Sequence, residues 1–191
     1  MADRQPTQNH YHSIMEIRDV TPNDFESIAK IYQHYVRTDI STLELPETEP
    51  NTQALCRGLQ VLYDSGAPFI VGVDSSAGVI SGYAYTRPFN IRSGFNRTCE
   101  DSIYIHRDYR GRGLGNQLLD RLLDRLIAAS RIAQVVAQIS IVNGQSVDQV
   151  ASCRLHASHG FEEVGRLFKV AKKFDQLVDV VTFQLDLTKD S

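Results

Sequence analysis

The sequence predicts an α/β domain, and three stretches carry that prediction. Thr98–Ile105 alternates polar and apolar residues and is rich in β-branched ones, as a half-buried strand is. From Gly113 the pattern changes to LGNQLLDRLLDRLIAA, where Leu114, Leu118, Leu122 and Leu126 recur on one helical face. Gln134–Val142, QVVAQISIV, has the apolar, β-branched content of a buried strand.

Taken in order, residues 1–13 are polar and read as a flexible lead-in to a single domain spanning residues 14–188. Met15–Val20 reads as an edge strand. Thr21 caps a helix with Pro22 at its first position and Asp24 in its first turn, and Phe25, Ile28, Ile31 or Tyr32, and Tyr35 share a face. His34 has no second ligand at helical spacing, so it reads as a surface histidine. The acidic, Pro-containing connection Ser41–Pro50 leads to a second helix at about Thr52–Ser65, and the two helices form a lip over the sheet.

Phe69–Val73 and Val79–Thr86 read as neighbouring strands joined by the turn residues DSSAG. The irregular RPFNIRSGFNR follows. There Arg87, Arg92 and Arg97 can receive a carboxylate or another oxyanion while Phe89 and Phe95 exclude water. Phe161–Phe168 and Val178–Leu187 read as the last strands, the second with Val181, Phe183, Leu185 and Leu187 on one face. Lys169, Lys172, Lys173 and Asp175 read as the solvated connection between them. His159 reads as a helix C-cap and Cys153 as a packing residue.

Composition sets limits on partners. A chain of 191 residues with 42% hydrophobic residues suits one sizeable core rather than two. Net charge is −3 and only RDYRGR is locally basic, so a nucleic-acid partner has no broad electrostatic support. Cys56, Cys99 and Cys153 are odd in number and lack a CxxC pair, which points to reduced thiols rather than disulfides or zinc. No apolar run approaches the roughly 20 residues of a membrane span, and the N-terminal stretch lacks the apolar centre of a secretion signal. A cytoplasmic protein without membrane or metal partners is the expectation.

Between the Thr98 strand and the Leu114 helix lies Arg110-Gly111-Arg112-Gly113-Leu114-Gly115. Glycines permit a tight turn and close ligand approach, and the first helical turn offers unpaired N–H groups and a positive dipole end. Arg107, Arg110 and Arg112 add positive charge opposed only by Asp108, so a phosphate or pyrophosphate is the natural occupant. The Lys-Ser/Thr pair of a nucleotide P-loop is missing, and GRGLG is too compressed for a dinucleotide fingerprint.

RGRGLG in this setting resembles the acyl-CoA signature Q/R-x-x-G-x-G/A of the GCN5-related N-acetyltransferase (GNAT) family, and the resemblance runs from about Met15 to about Leu187. The chain is nearest to the phosphinothricin N-acetyltransferase branch. The resemblance implies a GNAT acyl-CoA transferase fold with a mixed, partly splayed sheet, and acetyl-CoA as the acyl-donor substrate. It places the cofactor at Arg110, Gly111, Arg112, Gly113, Gly115 and Asn116, and it admits a homodimer.

Period two puts Glu100, Ser102 and Tyr104 on one strand face and Asp101, Ile103 and Ile105 on the other. An acceptor ammonium of pKa about 10 must lose a proton before it attacks. TCEDSIYI resembles the phosphinothricin-type TAESTVYV, whose catalytic glutamate matches Glu100. The same resemblance gives main-chain groups at Ile103, Tyr104 and Ile105 to the pantetheine arm, and an amide near Tyr104 or Ile105 to the developing oxyanion. Asn143 matches the family asparagine near the thioester. A short insertion follows, so Ser146 or Ser152 takes the place of the family serine. His156 matches the branch's histidine and protonates the departing thiolate or orients the reacting groups.

On the acceptor side, STLEL resembles a segment that implies contacts from Thr42 and Glu44. Pro88-Phe89-Asn90-Ile91-Arg92 resembles the branch's Pro-aromatic-x-x-Arg, so Arg92 is the preferred carboxylate partner, beside Arg87 and Phe95. The activity implied is acetyl transfer to the primary amine of a small carboxylated acceptor such as phosphinothricin or methionine sulfone. The alternatives are an N-acetyltransferase for peptide or polyamine amines and a non-catalytic acyl-CoA-binding regulatory protein.

Overall fold

The computed structural model describes residues 15–188, so the reading of residues 1–13 lies outside the described residues. The strands are β1 (Met15–Asp19), β2 (Phe69–Asp74), β3 (Val79–Pro88), β4 (Thr98–Ile105), β5 (Gln134–Val142), β6 (Glu162–Lys173) and β7 (Gln176–Asp186). The helices are α1 (Phe25–Thr38), α2 (Thr52–Asp64), α3 (Leu114–Ala129) and α4 (Ala151–Ser158). The strands form a seven-stranded sheet in the order β1-β2-β3-β4-β5-β7-β6.

Every neighbouring pair is antiparallel except β4 and β5, which α3 joins as a crossover. Their parallel pairing covers only Thr98↔Gln134, Cys99↔Val135 and Glu100↔Val136. Beyond it the two strands part. β5 stays paired to β7 through Val142, and β4 stays paired to β3 through Ile105, so the sheet splits at this seam.

Helices cover both faces. On one, Phe25, Ile28, Ile31 and Tyr35 of α1 pack on Phe69, Val71 and Tyr83. On the other, Leu114, Leu118 and Leu122 of α3 meet Ile70 and Ala84, while Leu119, Leu123 and Leu126 join a cluster with Cys99, Val135, Ile141, Cys153 and Phe161. Each fully buried leucine contributes about 1.5–3 kcal/mol. The leucine stripe therefore fastens the turn before α3 to the sheet.

One expectation for the last hairpin fails. β6 and β7 continue almost to their turn, where Phe174 and Asp175 both take positive φ (50° and 57°) without a glycine to announce it. Lys172 and Asp175 are solvated and paired with each other at 3.0 Å. Lys169 and Lys173 belong to the strand, and Lys173 is buried with Nζ donating to the carbonyl of Thr42 at 2.7 Å. A charged stretch on an outer strand has the composition of a loop, and the distant Thr42 carbonyl, with the Phe174 ring 5.1 Å away, accommodates the buried ammonium.

Candidate active site

The seam between β4 and β5 opens into a cleft of about 530 Å³. Its walls come from Asp101–Ile105, Ala137–Ser140, the turn before α3, and Ser152, Leu155 and His156 of α4. The amide of His106 donates to Ser81 on β3, so strand alternation turns the main chain of Tyr104 toward β3 and that of Ile103 and Ile105 toward the opening. Ile105 is already occupied. The Tyr35 hydroxyl donates to its carbonyl at 2.9 Å and accepts from its amide at 3.2 Å. Of the expected trio, Ile103 alone among the described residues presents main chain to the opening without a partner.

In the turn, Gly111 and Gly113 take φ of 74° and 77°, and Gly113 is the N-cap of α3. A methyl at either would meet no protein atom within 4 Å, so the backbone angle rather than crowding within the protein demands glycine there. Gly115 differs: its Cβ would stand 3.3 Å from Leu155, so it also lets α4 approach α3. Gly111, Gly113, Gly115, Asn116 and Arg110 line the cleft, and Arg110 lies over the Tyr35 ring at 4.6 Å. The other two expected cations turn away. Arg112 lies over the Tyr109 ring at 5.2 Å, and Arg107 meets Asp108 at 3.6 Å and lines a separate groove with Lys30, His34 and His106.

Glu100 faces the α1 side of the sheet, the side on which Tyr104 packs against Tyr32 and Tyr35. It is nearly buried and accepts from Nη2 of Arg87, its register partner on β3, at 2.6 Å. Arg87 is therefore engaged with Glu100, which corrects its placement as a free acceptor contact. Thr42 is buried, with Oγ1 3.0 Å from the Tyr32 hydroxyl. Glu44 accepts from the Thr48 hydroxyl. Phe95 packs on Phe89, and the exposed Arg92 guanidinium makes no ion pair among the described residues. None of Thr42, Glu44, Arg87, Arg92 and Phe95 lines the cleft itself. Sequence reasoning missed Tyr32, Tyr35 and Lys173 on this side. Burial raises the phenols of Tyr83 and Tyr104 well above their ordinary value, so both serve as neutral rings.

His156 occupies the opposite face. Its Nε2 lies 3.0 Å from Oδ2 of Asp101, and its Nδ1 lies 2.7 Å from the carbonyl oxygen of Ser152. Burial pushes the imidazolium toward losing its proton, but the hydrogen bond and charge of Asp101 and the Ser152 carbonyl outweigh it, so His156 titrates above its ordinary value. Sequence reasoning missed Asp101, although a carboxylate sharing a face with Cys99 and Ile103 signals a buried partner. Ser152 lines the cleft, whereas Ser146 bonds Asp148 in the turn before α4.

Asn143 is corrected. Its side chain donates to Asp179 at 3.0 and 3.2 Å, beside the Arg166–Asp179 ion pair, and does not line the cleft. The β6–β7 hairpin brings that carboxylate to the end of β5, which local sequence does not reveal. Cys153 is a buried core residue whose thiol burial pushes up to about 11. His159 caps α4 through the Leu155 carbonyl at 2.8 Å and meets Asp120 at 3.0 Å.

Among the described residues no helix is long and apolar enough to cross a membrane, and no three His, Cys, Asp or Glu side chains group as a metal site.

The sequence pattern of the Acetyltransferase (GNAT) family matches residues 26–161. The chain is 36% identical to a phosphinothricin N-acetyltransferase of Alcaligenes faecalis, over 90% of this chain and 82% of that protein. It is 33% identical to an L-methionine sulfoximine/L-methionine sulfone acetyltransferase of Salmonella typhimurium, over 91% of this chain and 95% of that one. A crystal structure of a GNAT superfamily phosphinothricin acetyltransferase from Sinorhizobium meliloti in complex with acetyl-CoA superposes with a TM-score of 0.80 at 30% identity, covering 90% of this chain and 88% of the other. With that match over most of its length and a sheet that splits between β4 and β5, the chain belongs to the GNAT family of acetyltransferases.

Proposed function

We propose that this chain transfers the acetyl group of acetyl-CoA to the primary amine of a small carboxylated amino-acid analogue of the phosphinothricin or methionine sulfone type. The observation that carries the reading is the parting of β4 from β5 beside the glycine turn, with Glu100 on one face and His156 on the other. Two small molecules can then reach one strand from two sides, as direct transfer in a ternary complex requires. The phosphinothricin and methionine sulfoximine or sulfone relatives support the acceptor class.

Bound acetyl-CoA supplies an acetyl thioester. The α3 N-terminus, with Gly111, Gly113, Gly115, Asn116 and Arg110, receives its pyrophosphate. The amide of Ile103 replaces those of Tyr104 and Ile105 as the donor to the pantetheine arm or the developing oxyanion, because the latter two face β3 and Tyr35. Glu100, held by Arg87, accepts the amine proton directly or through water, and His156 protonates the leaving sulfur. Arg92 takes the acceptor's carboxylate, with Thr42, Glu44 and Phe95 as further acceptor-side contacts.

The same reading treats residues 14–188 as one domain of a cytoplasmic protein, in keeping with the free thiols of Cys56, Cys99 and Cys153. A second copy is its partner. The outer strand β6 exposes Val164, Leu167, Phe168 and Val170, an apolar edge that pairing with another chain would cover.

The deciding assay offers acetyl-CoA and a panel of amines, including phosphinothricin, methionine sulfone, peptides and polyamines, and measures both free thiol and product mass. Thiol release with one acetyl group added to the amino-acid analogues is expected. Failure of every amine to release thiol refutes the activity, and preference for peptides or polyamines refutes the acceptor class.

A further inference from the structure

His156 meets an acceptor at each ring nitrogen. A carbonyl oxygen only accepts, so Nδ1, 2.7 Å from the Ser152 oxygen, carries a hydrogen and donates it. Nε2 and Oδ2 of Asp101, 3.0 Å apart, need a proton of their own between them, since a bare lone pair facing a carboxylate oxygen repels it. The pair thus holds one more proton than a neutral imidazole beside a carboxylate. Both side chains lie on the cleft wall, with exposures of 4% and 1%, and Oδ1 of Asp101 has no hydrogen-bond partner among the described residues. No second protein donor shares the charge of that carboxylate.

The ionisable groups around the ring leave Asp101 as its counter-ion. On α4, His159 is taken by Asp120, and Arg154 is exposed and bonded to the Asp148 carbonyl. On β4, Glu100 points to the other face, and burial pushes the Cys99 thiol up to about 12. β5 presents Ala137, Gln138, Ile139 and Ser140 to the cleft, and α3 presents Leu114, Gly115 and Asn116. Phe161, just before β6, sets its ring edge-on at 5.0 Å, while Glu163 and Arg166 of β6 act on Cys153.

We propose that Asp101 is a positioning residue for the transfer reaction: it holds a labile proton on Nε2 of His156 at the cleft wall, from which the proton passes to the departing sulfur. The role rests on the reaction proposed above. As the C–N bond forms and the C–S bond breaks, the C–S electron pair stays on sulfur and takes the Nε2 proton. The imidazole is left neutral, with its hydrogen on Nδ1 still bonded to Ser152. An ammonium sheds two protons on becoming an amide; one restores His156, and the other leaves by way of Glu100. The Ser152 carbonyl thereby selects which ring proton is mobile, and the Asp101 carboxylate draws the replacement proton to Nε2.

Nitrogen-15 NMR of the histidine rings reads the pair without any substrate, with His156→Gln identifying the signal. In the wild type the His156 ring should be doubly protonated at neutral pH, and in Asp101→Asn or the smaller Asp101→Ser its midpoint should fall by about two pH units. A neutral wild-type ring at pH about 7, or an unchanged midpoint in either folded variant, overturns the proposal. The wild-type titration decides alone if neither variant folds. In turnover, Asp101→Asn should lower kcat about 10²-fold, keep KM for acetyl-CoA within about twofold, and move the alkaline limb of kcat to lower pH. An equal loss of kcat at every pH would mark Asp101 as structural support and overturn the proposal. If the wild type acetylates no amine, the proposed function fails by itself, and the NMR titration still decides whether Asp101 holds the proton.

Discussion

Arg87 and Glu100 stand opposite each other on β3 and β4 and share a hydrogen bond of 2.6 Å. The carboxylate is nearly buried and the guanidinium is about half exposed, so the pair holds Glu100 in place while leaving it beside a solvent path. A proton acceptor for an amine needs both features: a fixed position and an exit for the proton.

Glu100→Gln should therefore lower turnover by about 10²–10⁴-fold while acetyl-CoA affinity stays near wild type. Arg87→Ala should cost about 1–3 kcal/mol of stability, because it strips the buried carboxylate of its partner. In the double variant the stability cost of Arg87→Ala should shrink, because a neutral glutamine leaves no buried charge without its partner. Steady-state kinetics and urea unfolding measure these effects, and wild-type turnover by Glu100→Gln across the basic limb would remove Glu100 as the proton acceptor.

Arg92 is exposed and free of ion pairs among the described residues, as a receptor for a substrate carboxylate should be. Arg92→Ala should reduce kcat/KM for a carboxylated acceptor about tenfold or more and spare its neutral amide. Equal losses on the two substrates would show that Arg92 supports the loop instead.

At the glycine turn, Gly113→Ala forces a side chain onto a φ of 77° and should cost about 1–2 kcal/mol. Arg110→Ala removes the cation that lines the cleft. Each should weaken acetyl-CoA binding by about tenfold in calorimetry on folded protein. Unchanged affinity in both would move the phosphate site elsewhere, with the Arg107 groove the next place to look.

His156 titrates above its ordinary value in the folded chain, so its protonation favours folding. That contribution is fully present below the unfolded value of about 6.5 and is lost as pH rises through the raised folded value. The stability gap between wild type and His156→Gln should accordingly be widest below the unfolded value of about 6.5 and narrow as pH rises above it in urea unfolding. A gap that widens with pH would reverse the sign and place a neutral imidazole in the core.

Much of this protein is determined by local sequence. Thr98–Ile105 and Gln134–Val142 are strands with the bounds their alternation and β-branching indicate, and the leucine stripe from Leu114 to Leu126 is the buried face of α3. Period two also separates Glu100 from Asp101, which do face opposite ways. Periodicity names a face and says nothing of what will stand across from it. Tertiary structure decided that Tyr35 would occupy the main chain of Ile105, 70 residues away, and that Asp101 would meet His156, 55 residues away. It also set Lys173 on the carbonyl of Thr42, 131 residues away, and Asp179 on Asn143. In each case a buried polar group found its partner only when distant segments closed over it, because desolvation obliges the group to be satisfied but leaves the choice of partner to the packing.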